Sequence, residues 1–345
     1  MRALPKTDHV TWVGSLGQRA PTFQRSDLHR VSERLRRVFQ NETRDRNSGT
    51  SGPRLVEPVI LPWHRSHIAR ALNGELLATQ IRRVRSSRVR PVLLVTNPVS
   101  SLYLDHVDAR RVVYLRLDDH PRLPGVDSAL VADAEARLVA RADACLATAP
   151  ELALPGKRFV HLPQGVDVAH FGRASLEVPS ERILGFFGAI APWLDTALIE
   201  AAARALPDWT FEFVGPRMGE VRLPSLPNVV VRAPIPYADL PTLMSRWRAS
   251  WIPFVLDELT RGVDPLKARE SLAAGLPTLG TRMPALERLP QVSVVDSAAE
   301  VARALAGILK TDDPKARAHR RDAMRSESWD ARAETLRKVA LGVGG

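Results

Sequence analysis

What most constrains this chain is an alternation that runs, stops and starts again. Short apolar runs rich in β-branched and aromatic residues alternate with helical patterns. In the first half the strand candidates are residues 9–15, 55–61, 91–98, 111–119, 144–149 and 158–163, with helical patterns over 26–39, from Trp63 to about 85, and over 127–141. The run PVLLVTNP at 91–98 is apolar throughout, as a strand covered on both faces must be. The pattern restarts with strands over 183–189, 210–215, 228–232, 249–255, 277–281 and 292–295. Helical patterns fall between them over 195–206, 236–247 and 264–274, and helices close the chain from about 297. Strands alternating with helices imply a parallel sheet with helices on both faces. A chain of 345 residues is too long for one ordinary α/β core and suits two of roughly 150 each. The expected layout is an N-terminal α/β domain over 1–172, a polar linker over 173–182 (RASLEVPSER), a second α/β domain over 183–325 and a closing helical segment over 326–345. The polar stretch 41–53 reads as a loose loop.

Several classes drop out. No apolar run approaches the roughly 18 residues that cross a bilayer. Residues 1–9 are polar and lack the apolar stretch of a secretory signal. Cys145 is the single cysteine, so no internal disulfide can form. A cytoplasmic protein is the expectation. The net charge of +11 would draw anions, yet only six of the 49 basic residues are lysine, a bias that genome composition explains equally well. No recognised nucleic-acid-binding motif accompanies the charge, so no nucleic-acid partner is expected.

The most informative stretch is DELTRGVDPLKARESLAAGLPTLGT, residues 257–281. Asp264 can cap a helix and Pro265 suits its first position. Gly275 suits the stop and Pro277 prevents continuation. Lys267 and Glu270 stand three apart on one helix face. Lys267 falls in the first turn, where backbone N–H groups already favour an anion, and could neutralise a diphosphate. Glu270, one turn on, could accept hydrogen bonds from ribose hydroxyls. A solvated Lys–Glu surface pair is the competing reading.

In the pattern PLKxxExLAxGxPxxxT, Pro265, Leu266, Lys267, Glu270, Leu272, Ala273, Gly275, Pro277 and Thr281 resemble the donor-site helix of bacterial GT-B glycosyltransferases. The likeness is to the glucuronosyltransferase-like, family 4-like group that builds exopolysaccharides and cell-wall polymers. Other pieces follow in that group's order: VVYLRLDDHPRLPG (112–125), RADACLATA (141–149), HLPQGVDVAHF (161–171), GFFGAIAPWLD (185–195), PIPYADLP (234–241), IPF (252–254) and DELT (257–260). The resemblance spans roughly 110–340 and is weak before 110. It implies two Rossmann-like parallel-sheet domains facing across a cleft, with an NDP-sugar, by resemblance a UDP-sugar, held on the second. Gly188, Ala189 and Ala191 would approach the donor phosphates. Lys267 would stabilise the leaving diphosphate and Glu270 would hold the ribose. Pro253, Phe254, Glu258 and Thr260 would line the sugar and base. No resident cofactor and no metal site are implied. Carbohydrate, lipid-linked and small-molecule acceptors all stay open.

Asp118 and Asp119 end a strand of the first domain, and one of them could deprotonate an acceptor hydroxyl. Neighbours on a strand face opposite ways, so at most one serves, with Asp119 slightly preferred. Capping of the following turn is the competing reading. His120 and His9 are weaker candidates. Many retaining relatives carry two glutamates eight positions apart, but the residue eight before Glu270 is Gly262, so an inverting displacement is preferred. His64 and His67 could share a metal, although surface histidines at a helix start are the commoner case. Arg82, Arg83, Arg85, Arg88 and Arg90 would suit either solvent or an anionic membrane, which makes peripheral attachment to the inner face of the plasma membrane a further expectation. The rival functions are a non-catalytic GT-B subunit that binds nucleotide or scaffolds a partner, and a sugar-nucleotide epimerase.

Overall fold

A computed structural model describes residues 9–14, 16, 54–61, 63–84 and 89–343. The helical pattern at 26–39, the loose stretch 41–53 and Arg85 and Arg88 lie outside the described residues. The chain divides into two compact units, residues 1–162 with 333–345, and residues 163–332.

Unit 1 opens with β1 (Thr11–Val13) and β2 (Arg54–Val56), which pair in parallel. Helix α1 (His67–Val84) follows, and then a four-stranded parallel sheet in chain order: β3 (Val92–Val95), β4 (Arg111–Arg116), β5 (Ala144–Ala147) and β6 (Phe159–His161). Between β4 and β5 runs α2 (Ser128–Arg141), whose start is fixed by Asp127 accepting a hydrogen bond from the Leu130 N–H at 3.2 Å. Arg65 holds Asp127 from outside through two 2.7 Å hydrogen bonds. Val95, Tyr114, Leu138 and Cys145 form the core between sheet and helix. His64 is not a surface histidine. It is buried, with Nδ1 2.6 Å from the Tyr103 hydroxyl and Nε2 3.1 Å from the Leu16 carbonyl, while His67 lies exposed beside Arg70. Packing and hydrogen bonds therefore account for His64 without a metal. Among the described residues, no group of three or more His, Cys, Asp and Glu gathers as metal ligands would.

Unit 2 begins earlier than the expected linker. Val166, Phe171 and Ala174 already sit in its core, and Val166 bridges to Ser328, so the division falls at Leu162 rather than within 173–182. After the short helix α3 (Val168–Phe171) come β7 (Ile183–Phe187), α4 (Thr196–Ala205), β8 (Thr210–Val214), β9 (Val229–Arg232) and β10 (Ala249–Ile252). Then follow α5 (Leu266–Ala273), β11 (Thr278–Gly280), β12 (Val292–Val294), α6 (Ala298–Thr311), α7 (Pro314–Ala323) and α8 (Trp329–Leu341). The six strands are all parallel, in the order β9-β8-β7-β10-β11-β12. That order reverses between β7 and β10, which makes the carboxyl edge there the switch point at which open α/β sheets bind ligands. From Ala333 onward α8 belongs to unit 1, where Leu336, Val339 and Ala340 pack on Val113, Leu146 and Leu162.

Sequence patterning marks the helix ends with one exception. Asp195, Ser297 and Asp313 cap α4, α6 and α7 as their residue types suggest. Asp264, expected to cap α5, does not; Pro265 holds that position. The Asp264 carboxylate is instead buried, 2.5 Å from Arg269 Nη1 and 2.8 Å from the Gln164 N–H, and Arg269 also reaches Glu327 at 3.0 Å. A buried arginine draws the carboxylate more strongly than a helix N–H can. This cluster ties the start of α5 to segments about 60 and 100 residues distant and so fixes where Lys267 stands. At the other end Gly275 adopts φ +89°, as a glycine stop should.

Candidate active site

The switch point of unit 2 is built from four chain segments. Strand β7 delivers Gly188 just past its carboxyl end, β8 delivers Gly215, β10 delivers Phe254, and α5 brings Lys267 and Glu270. Gly188 has φ +121°, and a Cβ there would lie 2.2 Å from Lys267 Cε. Gly215 has φ +154°, and its Cβ would lie 2.0 Å from the Gly188 carbonyl oxygen. Both positions need glycine for conformation and for space. The lysine side chain therefore runs directly over bare backbone. Its Nζ is 5.8 Å from the ring centroids of both Phe186 and Phe254, which offer it π faces rather than a counter-charge.

This environment shifts both titratable groups. Burial pushes the Lys267 ammonium below the ordinary lysine range, with Glu270 opposing. Burial likewise pushes Glu270 up to about 7, with Lys267 opposing. Lost solvation disfavours the charged form of each group, and an arriving diphosphate would favour the ammonium form of the lysine. Tyr237, just past β9 on the same carboxyl edge, lies close enough to Glu270 that the carboxylate helps push its phenol up to about 12, after burial.

The structure sorts the sequence candidates. Gly188, Ala189, Phe254, Lys267 and Glu270 gather at the switch point. Ala191 is fully buried, and its neighbour Ile190 is tied by backbone bonds to Pro216 and Met218, so only Gly188 and Ala189 remain partly open. Pro253 is buried, and its carbonyl accepts from the Asp195 N–H at 2.8 Å, so it braces α4. The Thr260 hydroxyl is committed to its own loop: it donates to the Val255 carbonyl at 2.6 Å and accepts from the Asp257 N–H at 2.9 Å. Thr260 therefore shapes the loop rather than offering its hydroxyl outward. Glu258 is exposed. Two residues at this edge carried no role from sequence. Gly215 ends TFEFVG much as Gly188 ends its own strand, a repeat that could have pointed to it. Tyr237 lay in a quoted motif with nothing local to mark it.

In unit 1 the aspartate pair follows β4. Arg116 is buried and held by Glu135 through bonds of 2.8 and 3.0 Å, and by the Leu152 carbonyl at 2.7 Å; Tyr114 donates to the same glutamate. Arg116 then reaches Asp119 Oδ1 at 3.1 Å, while Arg122 takes Oδ2 at 3.1 Å. Both Asp119 oxygens are thus occupied by guanidinium groups. Among the described residues, no guanidinium clamps Asp118 in this way. Burial pushes its carboxyl up to about 6, with Arg116 opposing. A base needs an open oxygen and an affinity for the proton, and the guanidinium contacts at Asp119 and the raised carboxyl of Asp118 bear on both. His120 is buried and pushed down by that burial. His9 is exposed.

No family model matches the chain. Sucrose-phosphate synthase from Thermosynechococcus elongatus aligns with 98% of this chain and 96% of its own at a TM-score of 0.61 and 14% identity. HepE from Anabaena, solved with UDP and glucose, aligns with 71% of this chain and 75% of its own at a TM-score of 0.56 and 15% identity. The chain has the GT-B fold. A UDP-forming α,α-trehalose-phosphate synthase from Burkholderia vietnamiensis also aligns, over 80% of this chain and 76% of its own, at a TM-score of 0.56 and 11% identity. In sequence the chain is 32% identical over 187 residues to TuaH of Bacillus subtilis (strain 168), whose assignment as a teichuronic acid biosynthesis glycosyltransferase is itself provisional. The match takes in 48% of this chain and spans about half the length of that relative, 47%. Among the described residues, no helix is long and apolar enough to cross a membrane.

Proposed function

We propose that this protein is a glycosyltransferase that moves a sugar from an NDP-sugar, here a UDP-sugar, to an acceptor hydroxyl. The observation that carries the reading is Lys267, laid over Gly188 at the switch point of unit 2 with its Nζ 5.8 Å from the ring centroids of Phe186 and Phe254. A cation desolvated against two aromatic rings is suited to charge that arrives with a ligand and grows as a bond breaks. HepE was solved with UDP, and the trehalose-phosphate synthase is UDP-forming, which supports uridine as the base. The provisional role of TuaH in teichuronic acid synthesis supports a polysaccharide or lipid-linked acceptor over a small molecule.

The chemistry follows from these groups. The acceptor oxygen attacks the anomeric carbon while the bond from that carbon to the diphosphate oxygen breaks. Lys267 takes up the charge that develops on the diphosphate. Glu270 accepts from the ribose hydroxyls. Asp118 receives the acceptor's proton. The stereochemistry inverts, in keeping with Gly262 where retaining relatives carry a glutamate. The test is a panel of UDP-sugars offered with polysaccharide and lipid-linked acceptor fractions, with product followed by mass. Acceptor-dependent sugar transfer with UDP release, lost in Lys267→Ala, is expected. Sugar epimer released without transfer, or no turnover with any donor that binds, would overturn the reading.

A further inference from the structure

Beside Glu270 on the carboxyl edge of unit 2 stands an aromatic assembly that the reaction described above does not use. The Tyr237 ring lies flat on the His170 imidazole, with centroids 4.2 Å apart and planes 10° from parallel. Phe171, fully buried, meets both rings edge-on, at 4.8 Å from His170 and 5.6 Å from Tyr237. His170 is itself held in place. Its Nδ1 is 2.7 Å from Arg173 Nη2, and a guanidinium can only donate, so Nδ1 accepts and Nε2 carries the proton. That Nε2 donates to the Tyr237 carbonyl at 3.0 Å. Arg173 also donates to the carbonyls of His170, at 3.2 Å, and Ala238, at 3.3 Å. The imidazole is thus fixed in tautomer and orientation, and it presents one face to one face of Tyr237.

A tyrosine so well braced would ordinarily be buried. Tyr237 is 51% exposed. One face is covered by His170 and the buried Phe171 meets the ring edge-on, and among the described residues no other aromatic ring lies against it. The phenol lies within the electrostatic reach of Glu270 and of Asp167, and Glu270 in turn lies within reach of Lys267. Helix α3, which carries His170 and Phe171, packs against α5, which carries Lys267 and Glu270, so this edge gathers a cation, a carboxylate and a flat aromatic face. A nucleotide presents a diphosphate, a ribose and a base to such a set. Two-sided bracing of an exposed ring is wasteful for packing, but it makes a stacking surface that loses little freedom when a flat ligand lands on it.

We propose that Tyr237 is the surface on which the base of the nucleotide stacks, and that His170 and Arg173 are positioning residues that hold it flat. The inference rests on the nucleotide-sugar reading above and adds to it the means by which the base, as distinct from the diphosphate, is gripped.

Calorimetric titration with two probes separates the parts. UDP carries the base; inorganic pyrophosphate does not. Tyr237→Leu, of similar bulk but without a π face, is expected to weaken UDP roughly tenfold or more, the range that loss of one base–aromatic stack gives, and to leave pyrophosphate unchanged. Tyr237→Phe should bind UDP close to wild type. His170→Ala should weaken UDP in the same direction, again without effect on pyrophosphate, whereas Lys267→Ala should weaken both. UDP binding equal to wild type in Tyr237→Leu would overturn the inference and leave the nucleotide reading standing. Equal weakening of UDP and pyrophosphate would also overturn it, since the residue would then support the site only structurally. Failure of the folded wild type to bind UDP, GDP, dTDP or ADP would remove the nucleotide reading and this inference together.

Discussion

Replacing Glu270 by glutamine should make the protein more stable and its nucleotide site worse, and the stability gain should depend on pH in a defined direction. The carboxyl has an ordinary value of 4.5 and is pushed up to about 7 in the fold. Between those values the folded chain holds a proton that the unfolded chain has released. The contribution of Glu270 to wild-type stability is therefore full below 4.5, is lost as pH rises to about 7, and is level above that. A separation of this size corresponds to about 3 kcal/mol. Glutamine, which never ionises, escapes that loss. At pH 8 the Glu270→Gln variant should exceed the wild type by up to about 3 kcal/mol, or roughly 6–12 °C in Tm for a unit of this size. At pH 4.5 the two should melt together. The assay is thermal or urea unfolding of both proteins from pH 4.5 to 8. UDP affinity should fall about fivefold in the variant, because a charge-assisted hydrogen bond to the ribose becomes a neutral one. A stability gap that stays constant across pH would refute the argument, since the gap would then come from packing and not from a desolvated charge.

Two further outcomes follow from the same geometry. Asp118→Asn should lower kcat for transfer by about 100-fold or more, and the wild-type rate should rise with pH through about 6 and then level; Asp119→Asn should cost less, because that residue serves the arginine clamp. Gly188→Ala should destabilise by about 1–3 kcal/mol through its positive φ and weaken UDP by displacing the Lys267 ammonium, readable by calorimetry beside Lys267→Ala.

Much of unit 2 was legible because its information is local. Strand runs, the Gly275 stop and the three-residue spacing of Lys267 and Glu270 all lie within a few residues of what they specify. The features that local pattern does not show depend on contacts with other residues. Asp264 is drawn from the cap by Arg269 and by Gln164, 100 residues away. Asp119 is held by Arg116, which Glu135 on another element fixes in place. Thr260 was assigned to the ligand, but its hydroxyl completes its own loop. Tyr237 acquires its place only through His170, 67 residues earlier. Local pattern locates the strand ends that carry a site, whereas the protonation and openness of each side chain there depend on contacts the pattern does not encode.

The central claim is that unit 2 holds a nucleotide diphosphate against Lys267. Its most direct test is calorimetric titration of the folded wild type and of Lys267→Ala with UDP. Binding by the wild type that weakens about 10–100-fold in the variant, as loss of one charge-assisted contact requires, is the predicted result. Equal affinity in the two proteins would contradict it.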